Sequence, residues 1–275
     1  METLTAAILP QTIRQRPANS HKGTYGRVTL VGGNRNFGGA ILMASAAAVY
    51  AGAGLVTTIT DASNQSSLHA RLPEAMFADM RQTTQLTDLV AGADVVVIGP
   101  GLGTDDAALA TLQQVFQTVT AQQTLVVDGS AITLIAQHHL TLPAVPLVLT
   151  PHQMEWQRLS GIAIADQTPE RNRAAANQLN ATVVVKSHRT QIYTPTGSFQ
   201  NPLGTPAQAT GGMGDTLAGM VGGFLAQFAD HQDAVLAAVY THSAIAEALA
   251  ASQYVVLPHQ IIDALPQYMH DHQAH

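Results

Sequence analysis

Six short β-branched runs recur along the chain: Arg27–Val31 (RVTLV), Leu55–Thr60 (LVTTIT), residues 94–98 (DVVVI), Thr124–Val127 (TLVV), Leu147–Leu149 (LVL) and Thr182–Val185 (TVVV). Each is continuous rather than alternating, and each precedes a loop and a helical stretch. A strand without alternation has both faces covered, as in a parallel sheet with helices on either side. With no break in composition, no low-complexity tract and no fixed-period repeat, the pattern predicts one α/β domain over residues 1–275. Gln191–Tyr193 and the Pro/Gly-containing loop after it read as a hairpin or edge excursion. Two alanine-rich helical segments, about 214–228 and 234–250, close the body. A polar tail over about 270–275 carries His270, His272 and His275; it reads as a solvated terminus, with adventitious metal binding as the alternative.

Composition narrows the function classes. Hydrophobic residues make up 46% of the chain and charged residues 11%, the reverse of the disordered signature. The formal net charge of -6, from 12 Lys+Arg and 18 Asp+Glu, argues against a nucleic-acid partner, which needs a basic field. There are no cysteines, which excludes disulfides, thiolate zinc sites and a cysteine nucleophile. The start, METLTAAILPQTIRQRP, lacks the basic head and long apolar run of a signal peptide. Residues 37–60 carry no charge and are long enough to cross a bilayer. Gly38, Gly39, Gly52, Gly54 and the Thr-rich end instead indicate a small-residue helix running into a buried strand. A soluble cytoplasmic protein with no membrane partner is expected.

In such sheets ligands bind beyond the carboxyl ends of the strands. The segment TGGMGDTLAG, Thr210 to Gly219, opens an apolar helix. Gly211, Gly212 and Gly214 let backbone N–H groups crowd one point, and the helix N-terminus adds positive partial charge there. That mouth suits an anion that forms or moves during reaction. Asp215 would repel a resident phosphate. It is either a general base taking a hydroxyl proton in phosphoryl transfer or an ordinary helix N-cap.

Four other segments follow strands. Residues 99–105 (GPGLGTD) lack the lysine of a P-loop and the spacing of a dinucleotide fingerprint; ligand approach and a tight strand-to-helix turn both account for them. In TPHQME, Pro151 disfavours helix at Thr150, so His152 and Glu155 lie three apart in a first helical turn. No third ligand is spaced to complete a metal triad, and a cap plus an N-terminal acid is the plain alternative. Lys186 directly follows the buried TVVV run, an unusual position for lysine, which phosphate recognition and a snorkelling edge residue explain equally. Asp128-Gly129 after TLVV reads as a strand-end carboxylate or a turn.

Taken in order, KGTYGRVTLVGG, GGAILMASAAAVYAGAGLVT, VIGPGLGTD, VVDGSA, LTPHQMEWQRLSG, VVVKSHRT, ATGGMGDTLAGMVGGFLAQ and AVYTHSAIAE resemble the ADP/ATP-dependent NAD(P)H-hydrate dehydratases, a branch of the ribokinase-like superfamily. The resemblance extends from about Lys22 to about Met269. It implies a single-domain ribokinase-like fold: a central, mainly parallel sheet flanked by helices, without the lid of the sugar kinases. The implied activity restores NADH or NADPH from the S-epimers of NADHX and NADPHX. ADP or ATP phosphorylates the C6 hydroxyl, and phosphate then leaves.

By the resemblance, Asp215 contacts the hydrate hydroxyl and acts as base, while Ala40, Gly103 and His152 match positions contacting the hydrate. Lys186, Ser187, His188, Arg189 and Thr190 match an adenylate-binding segment, and the amides around Gly211, Gly212 and Gly214 match a phosphate site. Glu155 matches an acid that helps organise Mg²⁺, and similar proteins suggest a homotetramer. Four places depart from the usual pattern: Gln153-Met154 stand for Pro-Gly, Ser187 for Gly, Thr205 for Asn, and Met213 for Ser or Thr. Met213 removes a hydroxyl from the anion loop, and Ser187 matters if its backbone needs a positive φ. Two other readings stay open: a kinase of a small hydroxyalkyl heterocycle of thiamin-precursor type, and a non-catalytic adenylate-binding protein.

Overall fold

The computed structural model describes residues 1–274. Among them, ten strands form one sheet: β1 (Glu2–Thr3), β2 (Arg27–Val31), β3 (Leu55–Thr60), β4 (Met76–Asp79), β5 (Val95–Ile98), β6 (Thr124–Val127), β7 (Leu147–Leu149), β8 (Thr182–Val185), β9 (Gln191–Tyr193) and β10 (Ser198–Gln200). Their order is β1-β10-β9-β8-β7-β6-β5-β2-β3-β4. From β8 across to β4 every pairing is parallel; β8–β9 and β9–β10 are antiparallel. The expected hairpin is therefore β9–β10. All six runs that read as strands are strands. β5 begins at Val95, because the Asp94 carboxylate accepts the Arg27 N–H at 2.8 Å at its mouth.

The helices are α1 (Ile8–Thr12), α2 (Gly38–Tyr50), α3 (Gln65–Arg71), α4 (Thr83–Ala91), α5 (Asp106–Thr118), α6 (Gly129–His138), α7 (Gln153–Ser160), α8 (Pro169–Gln178), α9 (Met213–Gln227), α10 (His231–Ala250) and α11 (Pro258–His272). Alternate strand residues feed two cores. Val28, Leu30, Val95, Val97, Val126 and Val184 pack with α2, α9, α10 and α11. Val31, Ile59, Val96, Ile98, Leu125 and Val183 pack under α4, α5, α6 and α7. Double burial is why these strands carry no polar alternation.

Residues 37–60 divide into α2 and β3, and no helix among the described residues is long and apolar enough to cross a membrane. The carboxyl end of the chain differs from the solvated tail expected of it. His270 and His272 lie within α11, Tyr268 and His272 stack at 4.1 Å, and Ala274 bridges Arg14. His275 lies outside the described residues. Among those residues no group of three or more His, Cys, Asp or Glu is placed to hold a metal ion.

The sheet order reverses direction between β2 and β5: the chain moves outward from β2 to β4, then returns to the other side of β2. A crevice opens at such a switch point, beyond the carboxyl ends of the strands. Here Gly33 N–H donates to Pro100 O at 2.8 Å and Asn34 N–H to Gly101 O at 2.7 Å, tying its two loops together. Under the crevice α2 and α9 pack backbone to backbone. A Cβ on Gly219 would lie 2.0 Å from the Ala44 carbonyl oxygen, so the two helices cannot approach as they do with any side chain there.

Gly219→Ala should destabilise the fold by about 1–3 kcal/mol through overpacking, despite alanine's better helix propensity. In Gly211→Ala the added methyl meets nothing within 4 Å and should change stability by less than about 0.5 kcal/mol. Urea denaturation of the two variants checks the contrast.

Candidate active site

Three neighbouring strands end in residues that meet. Asp128 follows β6, Thr150 follows β7 and Lys186 follows β8. Lys186 Nζ donates to Asp128 Oδ1 at 2.6 Å, and Thr150 Oγ1 donates to the same oxygen at 2.7 Å. The lysine side chain is 18% exposed and the aspartate 3%, so Lys186 turns inward and the snorkelling alternative fails. Its ammonium is held over the first turn of α9. A Cβ built on Gly214 would lie 3.0 Å from Lys186 Nζ, so a side chain there would press on the ammonium.

Asp215 is the third residue of α9, whose N-cap is Gly212 with φ +95° and no side-chain cap. The N-cap alternative for Asp215 fails with that. Its half-buried carboxylate, which accepts from its own backbone N–H, stands beside the amide-rich mouth. His152 is the N-cap of α7, its Nδ1 accepting from Met154 N–H at 3.1 Å and Glu155 N–H at 3.4 Å. Glu155 Oε2 accepts the His152 N–H at 2.8 Å in return. Because Nδ1 accepts, the neutral ring carries its proton on Nε2, which lies 3.4 Å from Glu155 Oε1.

The charges interact strongly. Burial pushes Glu155 up to about 7, with Lys186 pulling down and Asp128 adding to the rise. Burial and then the Asp128 charge push Asp215 up to about 6, against the pull of Lys186. Burial disfavours the Lys186 charge, but Asp128, Glu155 and Asp215 outweigh it and hold the ammonium above its usual value. Burial, then Lys186, lowers His152. His242 is driven down to about 4 by burial and Lys186, so its ring is neutral. Its Nδ1 lies 3.5 Å from Gln208 Nε2, and its Nε2 is buried with no hydrogen-bond partner among the described residues.

A cavity of about 610 Å³ opens beside this centre. Of the residues singled out in the sequence, His152, Lys186, Ser187, His188, Thr190 and Gly214 line it. Arg189 instead braces its rim, donating to Gly204 O at 3.1 Å. Gly211 and Gly212 sit at the α9 mouth, Gly212 against Met43 of α2. Ala40, in the first turn of α2, and Gly103, in the loop after β5, flank the switch point, Ala40 against Gly101 and Gly103 against Asn34. Met213, in place of a hydroxyl residue, joins Leu217 and Val239 in the cavity's apolar wall. Ser187 is not in the left-handed region, since His139 and Asn180 are the described non-glycine residues with positive φ; serine is accommodated without strain. Thr205 caps the short turn that follows it, and Gln153 and Met154 open α7, Met154 donating to His152. Reasoning from sequence missed the 203–209 wall and assigned no site role to Thr150. A larger cavity of about 1080 Å³, lined by Arg16, Tyr25, Tyr50 and Gln227 among others, contains none of the residues singled out for chemistry.

A mainly parallel sheet with this order, and an acid at an uncapped, amide-rich helix mouth, defines a ribokinase-like α/β protein. The fold is shared with a hydroxyethylthiazole kinase from Pyrococcus horikoshii, at a TM-score of 0.62 and 17% identity over 91% of this chain and 89% of that one. Much nearer is a ribokinase-like superfamily protein from Enterococcus faecalis V583, with TM-score 0.97 and 49% identity over 99% of this chain and 96% of that one. The NAD(P)H-hydrate dehydratase family model matches residues 28–267. The chain is 62% identical to an ADP-dependent (S)-NAD(P)H-hydrate dehydratase of Lactiplantibacillus plantarum over 98% of its own length and 97% of the relative's. A Bacillus subtilis ADP/ATP-dependent NAD(P)H-hydrate dehydratase, co-crystallized with ATP/Mg²⁺, superposes with TM-score 0.89 and 32% identity over 99% of each chain. The chain belongs to the NAD(P)H-hydrate dehydratase family and is an enzyme of it.

Raised carboxyls have a measurable consequence. Asp215 and Glu155 hold protons more tightly folded than unfolded, so their contribution to stability is fully present at low pH and is lost as pH rises through about 4 to 7. Asp215→Asn should therefore melt above the parent at pH 8, with the gap closing toward pH 4; thermal unfolding across that range checks it.

Proposed function

We propose that the enzyme uses ADP to dehydrate the S-epimers of hydrated NADH and NADPH, with Asp215 as base. One observation carries this reading: the uncapped Asp215 carboxylate stands at the amide mouth of α9, next to a lysine held inward at Gly214. Phosphoryl transfer needs these three parts together: a proton acceptor for the attacking hydroxyl, a cluster of N–H donors and a cation.

Asp215 takes the proton from the C6 hydroxyl as its oxygen attacks the terminal phosphorus of ADP. The P–O bond to AMP breaks, and the amides of Gly212 and Gly214 with Lys186 hold the moving charge. Phosphate then leaves with the C6–O bond while an adjacent ring proton is lost, which restores the conjugated dihydropyridine. A hydroxyl is a poor leaving group and phosphate a good one, which is why the nucleotide is consumed. The cavity lined by Lys186, Ser187, His188 and Thr190 takes the adenylate part, with Met213, Leu217 and Val239 as its apolar wall. Ala40 and Gly103, at the switch-point crevice, and His152 contact the hydrate.

Magnesium fits this donor set as an ion that a protein carboxylate and the nucleotide phosphates would hold between them. Mg²⁺ is usually bound through one or two carboxylates plus substrate phosphates rather than a protein cage. Glu155 is suited to that role, since a carboxyl pushed up to about 7 gains a reason to ionise when a cation arrives. When bound, the ion neutralises phosphate charge.

Hydrated NADH with ADP and Mg²⁺ should regain its near-UV absorbance with one phosphate released per cofactor restored. Accumulation of a phosphorylated substrate without reduced cofactor would point instead to a small-heterocycle kinase. Asp215→Asn should lose about 10²–10⁴-fold in turnover while still binding ADP, and near-normal turnover would refute the base assignment. For the parent, kcat/KM should fall as pH drops through about 6, where Asp215 takes up its proton.

A further inference from the structure

At the start of α6, Asp128 occupies the N-cap in an extended conformation, φ −133° and ψ 163°, yet makes no side-chain cap. Aspartate at an N-cap ordinarily bonds the helix amides, an interaction worth about 1 kcal/mol. Here the carboxylate turns away from its own helix. Its Oδ1 instead takes the Lys186 ammonium at 2.6 Å and the Thr150 hydroxyl at 2.7 Å. The sheet register sets up this row. Val127 pairs with Leu149, which puts Asp128 beside Thr150, and Lys186 N–H donates to Pro151 O at 2.8 Å, which fixes the root of the lysine.

Lysine is a point charge on a flexible stem, and other carboxylates are within electrostatic reach of this one. Facing Lys186 are Asp128 from β6, Glu155 from α7 and Asp215 from α9, together with His152 and His242, which its charge depresses. An ammonium that settled on Asp215 would neutralise the base and occupy the place of the substrate hydroxyl. Asp128 prevents this by offering a buried partner already fixed by Thr150.

We infer that Asp128 is a positioning residue that, anchored by Thr150, holds Lys186 over the α9 mouth for the nucleotide phosphates and keeps it off Asp215. The inference rests on the functional reading above. Asp128 touches no reacting atom; it acts through Lys186, and through its own charge it raises the basicity of Asp215.

The test is Asp128→Asn, which keeps the side-chain shape and removes the charge, with Thr150→Val and Thr150→Ser alongside. In Asp128→Asn the KM for ADP should rise about tenfold or more, the scale of a lost charge-assisted hydrogen bond. The acid limb of kcat/KM for the hydrate should move to lower pH by about half a unit or more, because Asp215 loses a negative neighbour and gains the lysine. Thr150→Val should shift both quantities in the same directions by less, and Thr150→Ser should restore them. If Asp128→Asn does not fold, the Thr150 pair carries the test. A parental ADP KM and an unmoved acid limb would overturn the inference, as would reduced activity with neither quantity changed, the mark of a merely structural role. Asp215→Asn assayed in parallel separates the two readings. If it turns over normally, the base assignment itself fails. If it is inactive while Asp128→Asn leaves both quantities unmoved, only the positioning role falls.

Discussion

Burial of the central strands on both faces is the constraint from which the site follows. A strand covered above and below must be reached by a crossover, and crossovers in a parallel sheet return every strand in the same direction. From β2 to β8 all carboxyl ends therefore open on one edge. Asp128, Thr150, Lys186 and the two switch-point loops share that edge because the sheet gives them no other exit. The α9 mouth is brought to the same edge by the packing of α9 against β2, β5 and β6. The site is assembled from segments far apart in the chain without any of them having to recognise another directly.

The second constraint is electrostatic. The chain is sparing with charge, at 11% of residues, yet three carboxylates and one lysine converge in one partly buried place. Burial first, and then the neighbouring Asp128 charge, raises two of the acids. That raises their proton affinity toward neutral pH, which suits a base and an acid waiting for a cation. Such a cluster is destabilising by itself and would be relieved by a cation, a common relation between function and stability.

What the sequence disclosed follows the same physics. The doubly buried runs were legible because burial on both faces leaves an unmistakable apolar record. The edge strands were not. β4 reads MFAD, with Met76 47% exposed, and β1 is two residues long. Lys186 and Asp215 stood out as charges in apolar company, and the structure removes the snorkelling reading of the one and the N-cap reading of the other. Asp128 was visible as a strand-end acid, but its partner lies 58 residues on and two strands away, a relation carried by register and not by local pattern. The cavity wall at 203–209 (LGTPAQA) is a loop with a single short turn, and leaves no periodic trace.

The contact between α2 and α9 bears on how such a site can move. Ala44 and Gly219 meet with no side chain between them, and Met43 rests on Gly212. The helix that begins at the hydrate crevice and the helix that begins at the phosphate mouth are thus locked through their backbones, with no layer of adjustable rotamers to absorb a relative slide. They form a single stiff chassis, against which the proposed function would register both reactants. The perimeter is held differently, through hydrogen bonds: Arg189 donates to the Gly204 carbonyl, and Glu247 accepts the Gly204 N–H at 2.7 Å. On the proposed function, the rim of the nucleotide pocket is thus held by side-chain hydrogen bonds, and the reacting groups by backbone packing.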